Sequence, residues 1–502
     1  KNTAPYNQID THEVINQPPP FADINLYQAD PMLQSMLHHG GAGWAEVNVS
    51  AMGQVAGSQK MQNLGRLANR FPPELHAFDR FGHRQDEVIF HPAYHELMAS
   101  GMAQGIHNIS WTAKKPGGYM AHLALEYLFT QAESGVCCPL TMTHAAVPAL
   151  RQNKALADIW EPKLVANHYD QRFLPIQEKS SATMGMAMTE KQGGSDVRAN
   201  QTRAEITAKS PWGEAYLLTG HKWFCSAPMS DAFLTLAYVG EELSCFFVPR
   251  FLPDGKRNRF FIQRLKDKLG NRSNASAEIE YNKTWACLVG EVGRGVPTIM
   301  DMVQHTRLDA AGVSAGMMRQ VVLQAVYHAY HRSTFGTTLI QQPLMQNVLA
   351  DMVLESEAAT AITMRTAQAF DTAKQAPTEV NKAYARLLAA VAKFWVTKRL
   401  PNLTYEAMEC LGGNGYVEES PMPYFYREAP VNSIWEGSGN VICLDVLRTL
   451  EKAPQAWQTY LAEITPYAEQ NKFVAQALAD IKTSVTQNTQ DMHVNARRLV
   501  EK

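Results

Sequence analysis

Met186-Ala-Met-Thr-Glu-Lys-Gln-Gly-Gly-Ser195-Asp196 marks the point at which this chain changes its period. Downstream, residues 204–208 and 277–281 alternate apolar and polar side chains, as half-buried strands do. Residues 233–239 and 245–248 are nearly continuous apolar runs between Gly and Pro, which predicts more deeply buried strands. Upstream, after a loop-rich start with Pro18-Pro19-Pro20 and Pro72-Pro73, the text is helical over residues 119–132 and 145–156. From about residue 296 the helical period returns. Val322, Ala325, Val326 and Ala329 fall at i, i+3, i+4, i+7, as do Met345, Val348, Leu349 and Met352. Pro343 and Pro377 divide this region into long helices, and Gly412-Gly413 closes a third. Helices, a β module, then helices is not the βαβ alternation of a nucleotide-binding doubly wound sheet.

Composition narrows the function classes. The 502 residues carry 46 Lys+Arg against 48 Asp+Glu, so there is no global basic excess of the kind that holds a nucleic acid nonspecifically. With 45% apolar and 19% charged residues, the chain is globular rather than disordered. Its most apolar stretch, residues 387–396, is interrupted by Lys393 and falls short of the ~18 residues of a membrane helix. Seven cysteines, two of them adjacent at 137 and 138, suit neither a zinc knuckle nor a CxxC pair; reduced, buried thiols in a cytoplasmic protein are expected. No signal segment is seen at the start, which is not Met, so the native start is expected upstream.

Several motifs carry candidate chemistry. The turn at 189–195 offers two hydroxyls and exposed backbone N–H groups to anionic or carbonyl oxygens, though a Gly-Gly-Ser turn is also an ordinary connection. Gly412-Gly413-Asn414-Gly415 follows a helix and not a strand, so it is no dinucleotide fingerprint; it is either a helix stop or a backbone that approaches a flat ligand. His91 and His95 lie at i, i+4 without a third ligand, and no metal is expected there. No GxSxG elbow or P-loop is present. Glu436, between Trp435 and Gly437, is a carboxylate in an apolar, backbone-rich setting; burial would make it a stronger base, while a solvated Glu is the default.

The order of these motifs is more specific than any of them singly. MTExxxGSD, GHKWFCS (220–226), residues 265–276, Gly293-Arg294-Gly295 leading to Thr306-Arg307, Arg332-Ser-Thr-Phe-Gly336, LGGNGY (411–416) and IWEGSGN (434–440) occur in sequence. The string resembles the acyl-CoA dehydrogenase superfamily of flavoproteins over about residues 110–450. TEKQGGSDV, CFFVPRFLPDG, RLKDKLGNRSNAS, LIQQPLMQ and PVNSIWEGSGN resemble its alkylation-response branch, with NLGRLAN (63–69) and PPEL (72–75) extending the likeness back to about Asn16.

The resemblance implies an α+β, mainly α fold. It comprises an N-terminal helical domain (1–180), a central β-barrel or sandwich domain (181–295), a C-terminal four-helix bundle (296–450) and a helical C-terminal extension (451–502) expected to be incomplete. It implies FAD, bound non-covalently between the β domain and the C-terminal helices, and a homotetramer. Met186, Met188, Thr189, Gly194 and Ser195 would contact the isoalloxazine or pyrophosphate, with Phe224, Cys225 and Ser226 flanking the ring. Arg332, Phe335 and Gln342 would reach a neighbour's cofactor. Gly413 would let backbone approach it, and Ser438 and Asn440 would hold the adenosine side. Glu436 would take the α-proton of an acyl thioester while a hydride leaves the β-carbon for flavin N5, with Arg307, Trp435 and Gly437 around the substrate. Trp435, Glu409, Lys191 and Gln192 depart from the family's usual residues, and the indole could narrow the acyl channel. The resemblance leaves the electron acceptor and the acyl chain open. The alternative implied by the alkylation-response branch is a flavoprotein that binds duplex DNA with little acyl-CoA turnover. A DNA surface needs clustered Lys and Arg; residues 451–502 hold six basic and six acidic side chains and decide neither way.

Overall fold

The computed structural model describes residues 11–486 and 489–502. Residues 1–10 of the expected N-terminal domain and 487–488 of the expected extension lie outside the described residues. The architecture is the α+β arrangement expected from the sequence. Helices come first, at Pro31–His39, Glu46–Ala56, Gln59–Arg70, Pro92–Ala103, Gly118–Phe129, Cys137–Leu150 and Lys154–Leu164. Asp30 caps the first of these by accepting from the Leu33 N–H at 3.0 Å. Every residue of Gly118–Phe129 is buried: its apolar side chains lie at the centre of a core, and its His122 and Glu126 find partners in Asp309 and Thr141.

Two features differ from the sequence reading. An antiparallel hairpin, Glu74–Phe78 with Arg84–Ile89, stands among the helices. The helix expected over 145–156 is two helices. The Asn153 side chain accepts from the Leu156 N–H at 3.1 Å and starts a second helix where the apolar period alone runs through.

The β module is a sheet of seven strands, Met184–Ala187, Arg203–Ile206, Ala215–Ser226, Ala232–Val239, Glu242–Pro249, Phe260–Leu265 and Ser276–Val289. It closes on itself. Met184–Ala187 pairs in parallel with Ala232–Val239 and touches the end of Ala215–Ser226, which pairs along most of its length with Ser276–Val289. The latter pairs with Glu242–Pro249, which returns to Ala232–Val239. Residues 232–237 are buried throughout, which explains their nearly continuous apolar run; Thr235, its one polar member, donates to the Ala187 carbonyl at 2.6 Å. Met184–Ala187 joins two strands at one end of this barrel, so the turn that follows it emerges at the barrel rim.

The later helices are Gly295–His331, Pro343–Gln375, Glu379–Cys410 and Gly439–Lys452, followed by Pro454–Gln470, Lys472–Val485 and Thr489–Glu501. Pro343 occupies the first turn of its helix, where its missing N–H costs nothing, and Thr378 caps the helix after Pro377. The early and late helices share one hydrophobic core running from Leu26 to Val500. None of the described helices is long and apolar enough to cross a membrane.

Candidate functional site

Between the barrel rim and the later helices lies a cleft of about 1850 Å³. That exceeds the roughly 300–1000 Å³ of an ordinary small-molecule pocket. Its walls hold nine Lys or Arg and four Asp or Glu side chains, a local cationic surplus in a chain of net charge −2.

Glu436 lies in this cleft, on the turn before the Gly439–Lys452 helix. Its backbone is left-handed, φ +58°, a conformation that costs an L-residue roughly 1–2 kcal/mol. Gly437 follows at φ +108°; a Cβ there would meet the Ile442 side chain at 3.1 Å. Two buried cations hold the turn. Arg307 Nε donates to the Glu436 carbonyl at 3.0 Å, and Lys393 Nζ donates to the Gly437 carbonyl at 2.6 Å. The Glu436 carboxylate accepts from Thr306 Oγ1 at 2.7 Å. Burial raises its pKa, and the Thr306 hydrogen bond and the charges of Arg307 and Lys393 hold that rise back. Among the described residues, the Glu436 N–H donates to no protein acceptor. Arg307 was expected near the substrate; its guanidinium lines the cleft but is committed to the Glu436 carbonyl and, at 2.7 Å, to Asp445.

Across the cleft stands the turn that follows Met184–Ala187. Met186, Met188, Thr189, Gly194 and Ser195 all line the cleft. A Cβ at Gly194 would lie 2.4 Å from Thr189 Oγ1, so only glycine lets the two ends of the turn close. Glu190 anchors the turn from below. It accepts from Lys222 Nζ at 2.7 Å, from Thr202 Oγ1 at 2.6 Å and from the Gln201 N–H at 2.6 Å, and the ion pair is fully buried. Burial alone would raise the Glu190 pKa, but the Lys222 ammonium and these donors hold it at about 2.

The structure brings Phe224, Ser226, Trp435, Gly437 and Ser438 to the same cleft. Cys225 is fully buried and packs in the barrel core, because alternate residues of a strand face opposite sides. Arg332 and Phe335 sit at a short hairpin after the Gly295–His331 helix, Gln342 stands at the N-cap of Pro343–Gln375, and none of the three lines the cleft of its own chain. Arg332 donates to the Asn16 carbonyl, and Phe335 is 99% exposed. Gly413 follows the end of Glu379–Cys410 with open space where a Cβ would be, and Asn440 accepts from Arg497 Nε at 2.7 Å; neither lines the cleft.

The order of these elements matches known proteins segment by segment. The family model of the adaptive response protein AidB N-terminal domain matches residues 16–171. Those of the acyl-CoA dehydrogenase middle and C-terminal domains match 185–284 and 293–451. The putative acyl-CoA dehydrogenase AidB of Escherichia coli (strain K12) is 45% identical over 484 residues, 96% of this chain and 88% of that protein. This chain belongs to the acyl-CoA dehydrogenase family. It is a flavin oxidoreductase of that family. Among solved structures, Bd2924 in its apo-form superposes with a TM-score of 0.89 at 28% identity, covering 97% of both chains. Caenorhabditis elegans ACDH-11 in complex with C11-CoA gives 0.85 at 26% identity, covering 100% of this chain and 89% of that one.

Seen as a member of this family, the chain carries polar groups that sequence reasoning passed over. Thr306 stood inside a quoted motif without a role. Lys393 was read only as an interruption of an apolar run, yet a lysine in such a run is itself a signal for a buried cation with a partner. Trp111, Tyr119, His305 and Phe370 also line the cleft, with Tyr119 Oη and His305 Nε2 2.8 Å apart. Behind them is a fully buried cluster of His122, His144 and Asp309 with Glu126. Its nitrogen and oxygen atoms are close enough to suggest a metal, but the geometry favours protons. His122 faces acceptors on both sides, the Ile106 carbonyl at 2.6 Å and Asp309 at 2.9 Å, which makes it an imidazolium. Its ring stacks on His144 at 3.7 Å with the planes 24° apart, so an ion in the plane of one ring would stand well out of the plane of the other. Burial alone would lower the His122 pKa; the Asp309 carboxylate raises it to about 9.

Proposed function

We propose that this protein oxidises an acyl thioester of coenzyme A, with FAD in the cleft and Glu436 as the base that takes the α-proton. The observation that carries the reading is Glu436 itself: a carboxylate of raised pKa, held by Thr306, in a left-handed turn facing a cleft large enough for a dinucleotide and a thioester. The residues present fit FAD. The Thr189–Ser195 turn, with Gly194 collapsed onto Thr189, presents hydroxyls and backbone, and beside it Phe224 provides a flat ring, Met186 and Met188 adaptable apolar surface and Ser226 a hydroxyl. Among the described residues, the buried Trp435 indole N–H has no acceptor. When bound, FAD supplies the hydride acceptor.

The chain's own residues do the rest. The cationic walls suit the phosphates of both FAD and coenzyme A. An α-proton is too weakly acidic for a free carboxylate, so the thioester carbonyl must be polarised; the unpartnered Glu436 N–H is the protein donor proposed for it, worth about 3–4 kcal/mol. Glu436 then accepts the proton at its carboxylate. Arg332 and Phe335 are proposed to complete a neighbour's site in a homotetramer.

Anaerobic titration with a panel of saturated acyl-CoA thioesters tests the reading, with bleaching of the flavin expected. Glu436→Gln is expected to keep FAD and lose about 10²–10⁴-fold in reduction rate, since the amide cannot accept the proton. Wild-type rates in that variant, or no bleaching by any thioester, would remove the assignment. The cationic surplus is equally compatible with DNA phosphates, the second reading, and a salt-dependent mobility shift with duplex DNA separates the two.

A further inference from the structure

The turn that presents Glu436 is strained, and what holds it is unusual. Glu436 and Gly437 are consecutive left-handed residues, and no regular secondary structure spans them. Arg307 and Lys393 come from different long helices, Gly295–His331 and Glu379–Cys410, and each takes one of the two successive carbonyls. Arg307 is anchored at its far end by Asp445. Lys393 is not. It is 1% exposed, and the only hydrogen-bond partner of its ammonium among the described residues is the Gly437 carbonyl. Burying an ammonium for one carbonyl is costly unless that contact has a use.

Peptide planarity gives the use. With the carbonyls of 436 and 437 both fixed, the two peptide planes after Glu436 are fixed as well. That sets both dihedrals of Gly437 and the position of the Glu436 Cα; on the other side the Trp435 N–H donates to the Val431 carbonyl at 3.1 Å, and the two holds together limit where the Glu436 carboxylate and N–H can lie. We propose that Lys393 is a positioning residue for Glu436, acting through the Gly437 carbonyl to keep the base and its backbone N–H aimed into the cleft. The inference rests on the reading of Glu436 as the base.

Lys393 also bears on the charge of Glu436. The groups facing Glu436 are Thr306, Arg307, Lys393 and, farther off, Asp309; those facing Lys393 are Glu436, Arg307 and Lys398. Burial lowers the Lys393 pKa to about 7, while Glu436 pulls it up. The Lys393 cation lowers the Glu436 pKa, so its removal raises that pKa and moves the acid limb of the rate profile to higher pH.

Lys393→Met removes the ammonium at nearly constant length. Stopped-flow reduction by the acyl-CoA thioester that reduces the wild type fastest is followed across pH. The limiting rate is expected to fall 10–100-fold, the scale of a misplaced reacting group. FAD content, melting temperature and half-saturating thioester concentration stay close to wild type, and the acid limb moves up. Lys393→Arg, which keeps the cation, recovers part of the rate. A wild-type limiting rate and acid limb in Lys393→Met overturn the proposal. So does a loss confined to FAD content or melting temperature, which would mark a merely structural lysine. If no thioester reduces even the wild type, the function reading has failed and a crystal structure of Lys393→Met decides on Lys393 alone. Relaxation of Glu436 out of the left-handed region supports the inference, and a turn unchanged at φ near +58° overturns it.

Discussion

Thr306 is the hydrogen-bond donor to the Glu436 carboxylate, and it reports on that carboxylate without touching its backbone. Its hydroxyl favours the ionised form, so Thr306→Val raises the Glu436 pKa further. The carboxylate must be ionised to accept a proton; the variant is therefore expected to lose activity on the acid side and keep it at high pH. A hydrogen bond to a charged group is worth about 1.5–3 kcal/mol, which is roughly one to two pH units in the acid limb of flavin reduction. A uniform loss at every pH would show that Thr306 serves packing instead. That Glu436 belongs to the cleft was legible in the sequence only through the order of the motifs around it, since the motif alone reads equally as a solvated carboxylate. Thr306 and Lys393 were not: one stands 130 residues from its partner and the other 44, and nothing in linear text pairs them.

Among the elements, the turn after Met184–Ala187 owes its shape to the Glu190–Lys222 pair. Both side chains are fully buried, so Lys222→Met leaves an uncompensated carboxylate and is expected to cost about 3–5 kcal/mol in thermal or denaturant unfolding. The folded pKa of Glu190, about 2, lies below its ordinary value of 4.5. Its contribution is therefore complete above pH 4.5 and fades as pH falls towards 2, which a melting series over that range would show as a Tm decline absent from Glu190→Gln/Lys222→Met. The strand period was legible at 277–281, which alternates within Ser276–Val289; the one expected over 204–208 stops at Ile206, whose side chain is exposed, so only Ala204 of its apolar set is buried. The same alternation argues that Phe224 and Ser226 face away from Cys225, which motif matching by position ignores. The hairpin at Glu74–Ile89 went unread because its faces are half exposed and carry no clean apolar period.

For the whole molecule, the His122–Asp309 contact joins an early helix to the Gly295–His331 helix inside a shared core. The folded pKa of His122, about 9, stands above its ordinary 6.5. The stability it contributes is complete below pH 6.5 and is lost as pH rises through 9, an alkaline sensitivity that His122→Leu/Asp309→Leu should remove from the melting curve. His122→Leu alone leaves the buried Asp309 facing only His144, 3.4 Å away and held neutral by burial, with an expected cost of about 3–5 kcal/mol. The proposed tetramer is checked by light scattering. Phe335, wholly exposed on its hairpin, is the side chain whose change to Asp is expected to lower both the assembled mass and the FAD retained. The tetramer is expected from the resemblance alone, and the exposed Phe335 ring is this chain's own contribution to that proposal.

The closed barrel also sets a schedule for synthesis. All its strands lie between 184 and 289, so the ribosome has released everything the barrel needs while the second wall of the cleft, drawn from residues up to 452, is still to be made. At about 5–20 residues per second, that leaves roughly ten to thirty seconds in which a folded barrel has half a cleft. Cofactor capture is thus a late event in the life of the nascent chain, and ribosome-stalled chains ending near residue 340, far enough for Ser276–Val289 to have cleared the exit tunnel, should resist protease across the barrel while holding no flavin.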